Sequence, residues 1–497
     1  MNAASLKRAS FVISSAVVLQ ASVALSAFNL CAIDPVNAQT PSKLDRSKAP
    51  PIAAAPIFKA PSWTVDTLSN GVRLVVVEKH DLPLVSFSIH FAGGTNQLGT
   101  KLGVSGFAGA MLREGTTNRS AEQLNNDLAL LGTTVAFGVG SETGSAGFST
   151  LARTFDGTLN IMMDMMLHST FPAPSLERLR TQSLSSYTSS QDEVGTIAAQ
   201  IAPKLLYGDQ PYGAVVSDVD LKAVTRDDVA TLAKQFFVPA NATAYVVGDV
   251  TRAQAKTKLE QAFAGWTGGQ KLVLKYPDAP TPAATTIYVV DMPNKPQSRV
   301  LLARPIAAEY SPDMAKVDVT NAILGGLFQS RLNANIREAK GYSYGFGSSV
   351  AWRKGPGTLR AQGDVTREKT DSSLIEAMKE VRGMTGSVPV TADELIAAKN
   401  SYTLSLPSDL QSIAGISGVV SRIVDDGLPK DWWSQYIASI NATTSADVAS
   451  MSSKYMDPSH LIILIVGDKA KIMDGLKGTN IAPIVELDKK GTRITPM

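Results

Sequence analysis

Histidine and cysteine are scarce in this chain of 497 residues, four and one. No two of its histidines (His80, His90, His168 and His460) have the i, i+4 spacing that would put them on one helix face. The single cysteine, Cys31, lies in an N-terminal apolar segment. The run Ile161–His168 (IMMDMMLH) joins methionines to a histidine, a soft-metal combination, but its helical spacing among apolar neighbours reads as core. Asp192 and Glu193 read as a solvated helix start. A different chemistry is available at Arg337 and Tyr344. A guanidinium is a permanently charged fork of donors and a phenol a single directed one, able together to orient a carbonyl and stabilise an oxyanion. The bland reading of the same residues is an Arg serving a helix C-terminus and a Tyr packing in a strand.

These residues need a scaffold. Strand patterns occur at 72–79 (VRLVVVEK), 85–92 (VSFSIHFA) and 286–291 (TIYVVD), and a helix at 120–132 opens on Ser120 and Gln123 in a capping-box pattern. In 324–350 a helix ends near Lys340 with Gly341 as its C′ residue, and a strand-prone segment carries Tyr342 and Tyr344. Residues 228–249 (DVATLAKQFFVPANATAYVVGD) align without a gap on 447–468 (DVASMSSKYMDPSHLIILIVGD), which reads as a duplication. Several strands follow one another before a helix intervenes. The fold class expected is α+β: two homologous domains, each a largely antiparallel sheet with helices packed on one face.

Composition narrows the rest. With 44% hydrophobic and 18% charged residues the chain can bury large cores, and a dispersed net charge of +3 offers no footprint for nucleic acid or an anionic membrane surface. Lys7 and Arg8 lead an uncharged apolar run ending at Val36-Asn37-Ala38, the pattern of a secretory signal peptide, with a retained anchor as the alternative. The expected divisions are a signal peptide at 1–38, a Pro/Ala-rich tether at 39–60 with order beginning near Trp63, a domain at 61–267, a linker at 268–284 and a domain at 285–497. Removal of the signal would leave no thiol and no membrane span, and the expected location is periplasmic.

The run from Phe91 through 103–116 (GVSGFAGAMLREGT) resembles the pitrilysin/insulinase family of zinc metallopeptidases, in the branch of the mitochondrial processing peptidase. The matching family helix reads G-[LV]-[AS]-H-x-x-E-H-M-L-x-x-G-T. Its histidines at i and i+4 ligate zinc, and its Glu polarises the metal-bound water. With Gly103, Met111, Leu112, Gly115 and Thr116 fixing the register, those three positions fall on Gly106, Gly109 and Ala110, none with a donor atom. The family's further acidic ligand falls around Tyr187 to Glu193. Two glycines inside a helix cost about 0.8–1 kcal/mol each relative to Ala, so either a close partner favours them or the positions drifted. The likeness extends to 70–87, to the loop 207–213 (YGDQPYG) and to 428–448.

The second half resembles the family where it reads S-R-L-x-x-x-[LI]-R-E-x-[KR]-G-[LY]-[AS]-Y. That resemblance assigns substrate binding and oxyanion stabilisation to Arg337 and Tyr344, and leaves Arg331 and Lys340 structural. It implies a non-catalytic subunit of a heterodimeric zinc metalloendopeptidase. Its partner would be a homologous H-x-x-E-H chain holding the zinc, its substrates unstructured peptides, with no cofactor of its own. The alternative is a catalytically inert structural or assembly protein of the same fold. Trp432-Trp433 reads as a helix-face anchor.

Overall fold

The computed structural model describes residues 58–99 and 101–494, so the apolar leader, its cleavage point near Ala38 and the tether up to residue 57 lie outside the described residues. Packing starts earlier than Trp63. Phe58 is buried, its ring centroid 6.3 Å from that of Trp433, because an aromatic ring among prolines and alanines has apolar area to hide.

The first sheet runs in the order β1-β2-β6-β3-β5-β4. Its strands are β1 (Thr64–Thr67), β2 (Arg73–Glu78), β3 (Leu84–Ala92), β4 (Ala136–Val139), β5 (Thr143–Leu151) and β6 (Ala242–Gly248). All its pairings are antiparallel except β2 with β6. The longer helices of this half are α1 (Val104–Met111), α2 (Ala121–Leu130), α3 (Phe155–His168), α4 (Ala173–Ser190), α5 (Val194–Tyr207), α6 (Arg226–Phe236) and α7 (Arg252–Ala262). Strand β3 alternates as its pattern predicts: Val85, Phe87, Ile89 and Phe91 enter the core under the helices, while Ser86, Ser88 and His90 face the other way.

The second sheet repeats the plan as β12-β7-β11-β8-β10-β9. Its strands are β7 (Thr286–Asp291), β8 (Gln297–Ala308), β9 (Ser343–Ala351), β10 (Pro356–Thr366), β11 (Ile462–Gly467) and β12 (Ile484–Leu487). Its longer helices are α8 (Met314–Asn321), α9 (Thr370–Arg382), α10 (Ala392–Thr403), α11 (Ile413–Asp425), α12 (Trp432–Ala442), α13 (Ser445–Tyr455) and α14 (Lys469–Gly478). The expected α+β duplication is present. Helices α4 and α10 start at 173 and 392, α5 and α11 at 194 and 413, α6 and α13 at 226 and 445, each pair 219 positions apart. Even the caps repeat. Thr225 and Thr444 open capping boxes closed by Asp228 and Asp447, whose carboxylates lie 2.8 Å from Lys101 and 2.7 Å from Lys316. These lysines, then the cap hydrogen bonds, hold both carboxyls down at about 2.

Each sheet has its main helical layer on one face, and the duplication adds a helix on the other. Helix α5 lays Ile197 and Ile201 against Leu301, Leu464 and Val466 of the second sheet. Helix α11 lays Ile416, Val420 and Val424 against Val75, Val77, Tyr245 and Val247 of the first. The halves thus exchange equivalent helices. Strands β2 and β11, covered on both faces, accordingly carry unbroken apolar runs rather than alternating ones.

The loop after α5 locks the exchange. The Tyr212 hydroxyl bonds the Glu142 carboxylate and accepts from the backbone N–H of Gly355 at 3.1 Å, while Lys354 N–H donates to Glu142 at 3.1 Å. The Arg353 guanidinium sits 5.0 and 5.3 Å from the rings of Tyr212 and Tyr207. The 268–284 linker is irregular, and it is strapped to the first half. Asn241 accepts from Leu272 N–H at 2.8 Å and donates to the Gln270 carbonyl at 3.0 Å, and Gln97 exchanges hydrogen bonds with Lys275.

Candidate functional site

Helix α1 starts at Gly103, whose φ of +86° only glycine adopts readily, and buries Val104, Phe107, Ala108 and Met111. It packs on α6 and β4. Gly106 and Ala110, one turn apart, open together onto a cavity of about 580 Å³ whose far wall is α4, through Gln182, Ser183, Ser186 and Ser190. The spacing of a metal-binding pair is therefore retained in the backbone, but neither residue carries a donor.

Gly109 has a separate explanation. A Cβ built there would stand 2.4 Å from the backbone oxygen of Phe137 on β4, closer than side chains pack, whereas one on Gly106 would meet nothing within 4 Å. Gly109 is required by the approach of helix to strand; Gly106 is not. A glutamate at 109 would push β4 aside, so the residues present do not fit a zinc site of the family type. Among the described residues no group of three or more His, Cys, Asp or Glu could hold a metal ion.

The histidines are dispersed, and each engages its own aspartate: His80 with Asp249 at 2.8 Å, His90 with Asp425 at 2.7 Å, His168 with Asp164 at 3.0 Å and His460 with Asp457 at 2.5 Å. The methionine run is core, with Ile161, Met162, Met163 and Met165 buried. Burial opposes the charge of Asp164, but bonds from Asn118, Thr116, Arg119 and His168 outweigh it and hold its carboxyl below the ordinary value. Asp192 and Glu193 stand apart from the cavity: Asp192 pairs with Lys295 at 2.7 Å and Glu193 is the N-cap residue of α5. The wall facing Gly106 and Ala110 belongs instead to the last turns of α4.

Arg337 and Tyr344 do come together. Arg337 lies in the π-helical turn Ala334–Ala339, closed by Gly341 at φ +64°, and Tyr344 lies on β9, an edge strand of its sheet. The Arg337 guanidinium carbon sits 5.1 Å from the Tyr344 ring centroid and 4.6 Å from that of Phe328. Phe328, which sequence reasoning missed, closes the apolar run 322–328 (AILGGLF) and reads there as core; only folding brings it to the arginine. Buried Asn333 fixes the geometry. It donates to the Phe328 carbonyl at 2.7 Å and accepts from Phe346 N–H at 3.3 Å, tying the loop and β9 to the short helix Arg331–Asn333. Yet Tyr344 is 89% exposed and Phe328 65%. The only acid paired with Arg337 among the described residues is its neighbour Glu338, at 3.2 Å.

Arg331 and Lys340 behave otherwise. Arg331 is bidentate to Glu394 at 2.6 and 2.9 Å and donates to the carbonyls of Val388 and Pro389. Its guanidinium holds the Glu394 carboxyl below its ordinary value. Lys340 pairs with Glu376 at 3.2 Å. Both are structural.

Residues 223–402 match the family model described as "Peptidase M16 inactive domain". The chain is 22% identical over 350 residues to "Uncharacterized zinc protease YmxG" of Bacillus subtilis, covering 70% of this chain and 84% of that one. A crystal structure of a peptidase M16 inactive domain from Pseudomonas fluorescens superposes with a TM-score of 0.74 at 24% identity, over 82% of this chain and 98% of that one. The periplasmic protease PqqL of Escherichia coli superposes with a TM-score of 0.69 at 17% identity, over 84% of this chain and 47% of that one. The chain thus carries a match to the M16 inactive domain across its middle and is similar to zinc proteases along most of its length, while its own first-half motif positions lack donor atoms.

Proposed function

We propose that the chain is the non-catalytic subunit of a heterodimeric zinc-dependent metalloendopeptidase, and that Arg337 and Tyr344 act in trans on peptide bound at a partner's active centre. The observation that carries this reading is the exposed cluster of Arg337, Tyr344 and Phe328, held by Asn333 and left uncovered by the other described residues, beside a first half whose metal positions lack donors. A guanidinium flanked by two rings has its plane fixed, and its outer N–H groups remain available to a carbonyl. The phenol adds one directed donor, and together they orient an extended peptide and stabilise the charge developing at the bond to be cut.

The partner in this reading is a homologous chain with an intact H-x-x-E-H helix, which alone holds the zinc. The substrates are unstructured peptides that lie as an added strand, and the complex works in the periplasm. The test is co-expression with each zinc-motif homologue, size measurement of the product, and hydrolysis of a quenched fluorescent peptide with and without a chelator. A co-eluting pair whose chelator-sensitive activity exceeds that of either chain alone is expected. A stable pair with no more activity than the partner alone would favour an inert assembly role, and metal-dependent hydrolysis by this chain alone would overturn the reading.

A further inference from the structure

The duplication places a second cavity in the molecule, and it is not a copy of the first in chemistry. In the first half, Ser183, Ser186 and Ser190 of α4 look across at Gly106 and Ala110. Their counterparts 219 positions on are Tyr402, Ser405 and Asp409, and these line a cavity of about 490 Å³ beneath α8, which packs on α13 and β9 as α1 packs on α6 and β4. The fold makes such a cavity in both halves, and the first shows that charge is not needed to form it. The second nevertheless holds one buried carboxylate, one arginine and several aromatic rings.

Asp318 of α8 is only 6% exposed. Its two oxygens accept from Trp352 Nε1 at 2.8 Å and from the Tyr436 hydroxyl at 2.7 Å, both neutral donors, and no cationic side chain among the described residues forms a salt bridge with it. A carboxylate oxygen has lone pairs beyond those two bonds, and a buried carboxylate gains from a cation. Arg422 of α11 lines the same cavity. Its Nε donates to the Tyr310 hydroxyl at 3.0 Å and its Nη2 pairs with Glu309, while Nη1 makes no hydrogen bond among the described residues. The rings of Tyr310, Trp432 and Trp433, 5.5 to 5.6 Å from its guanidinium carbon, keep the fork in place.

We infer that this cavity binds an α-amino acid with an apolar side chain, Asp318 taking the ammonium group, Arg422 the carboxylate, and the aromatic wall of Tyr402, Trp432 and Tyr436 the side chain. Its volume falls in the range of small-ligand sites, roughly 300–1,000 Å³, and its lining sets aromatic faces beside polar groups that include charges of both signs. Trp and Tyr faces add attraction for the ammonium.

The test uses the whole chain and three probes in titration calorimetry: L-phenylalanine, N-acetyl-L-phenylalanine, which lacks the ammonium, and L-phenylalanine amide, which lacks the carboxylate. L-phenylalanine is expected to bind, and each blocked form to bind at least tenfold more weakly. In Asp318→Asn the preference over the N-acetyl form should vanish, and in Arg422→Lys the preference over the amide should shrink. The wild-type series stands even if a variant folds poorly. No binding of L-phenylalanine at millimolar concentration, or equal binding of all three probes, overturns the assignment.

Discussion

Gly109 on α1 faces the carbonyl oxygen of Phe137 on β4 so closely that a Cβ would stand 2.4 Å from it. That contact separates two glycines that look alike in the sequence. Gly109→Ala must move backbone and should destabilise the chain by about 1–3 kcal/mol. Gly106→Ala meets open space inside a helix and should stabilise it by up to about 1 kcal/mol. Urea unfolding of both variants checks the opposite signs; equal effects would mean that β4 yields freely.

Arg337 and Tyr344 pose the reverse case, exposed side chains whose loss should leave the fold untouched. Tyr344 makes no hydrogen bond through its hydroxyl among the described residues, and cation–π contacts at exposed sites contribute only about 0.5–1 kcal/mol. Losing one donor to a developing oxyanion removes about 2.7–4 kcal/mol of transition-state stabilisation. Arg337→Ala and Tyr344→Phe should therefore cut turnover of the proposed heterodimer by a factor on the order of a hundred, with thermal stability and dimer size unchanged. Turnover at the wild-type rate in both would remove these residues from the mechanism.

Much of this arrangement could be read locally. The alternation of β3, the Ser120–Gln123 cap and the Gly341 stop are short-range chemistry, and each forms as its residues predict. The exchange of α5 and α11 was not legible, because an amphipathic helix declares that it has an apolar face and not which sheet will cover it. Trp432-Trp433 shows the same limit. Trp433 is the expected anchor, buried and donating to the Val419 carbonyl at 3.1 Å, but Trp432 stacks on Tyr436 and lines a cavity that only the tertiary fold creates. Phe328 likewise acquires meaning only through its distance to Arg337.

The lock between the halves rests on Tyr212 and Glu142, with the phenol's pKa pushed up by burial and by the facing carboxylate. Tyr212→Phe keeps the ring on Arg353 but takes the phenol donor from the half-buried Glu142 carboxylate, leaving Gly355 N–H only its 3.3 Å bond to Glu142, a loss of about 1–3 kcal/mol. Glu142→Ala should cost less once Tyr212 is already Phe, since the two substitutions remove the same contact. A double-mutant cycle by urea unfolding measures that coupling, and strictly additive losses would show that the bond contributes nothing to the lock.

Asp318 gives the fold a pH dependence of unusual sign. Burial raises its carboxyl to about 6 from the ordinary value of 3.8, against the bonds from Tyr436 and Trp352 that favour the charged form. Between those values the folded chain binds more protons at this site than the unfolded chain, so the site's contribution to stability falls as pH rises through the window and is lowest above it. A rise of that size corresponds to about 3 kcal/mol. Asp318→Asn cannot titrate, so the unfolding free energy of the wild type minus that of the variant should decline by up to about 3 kcal/mol between roughly pH 4 and pH 7, other groups cancelling in the difference. Urea titrations at four or five pH values resolve such a slope, and a difference that rises or stays flat would place the Asp318 carboxyl at or below its ordinary value.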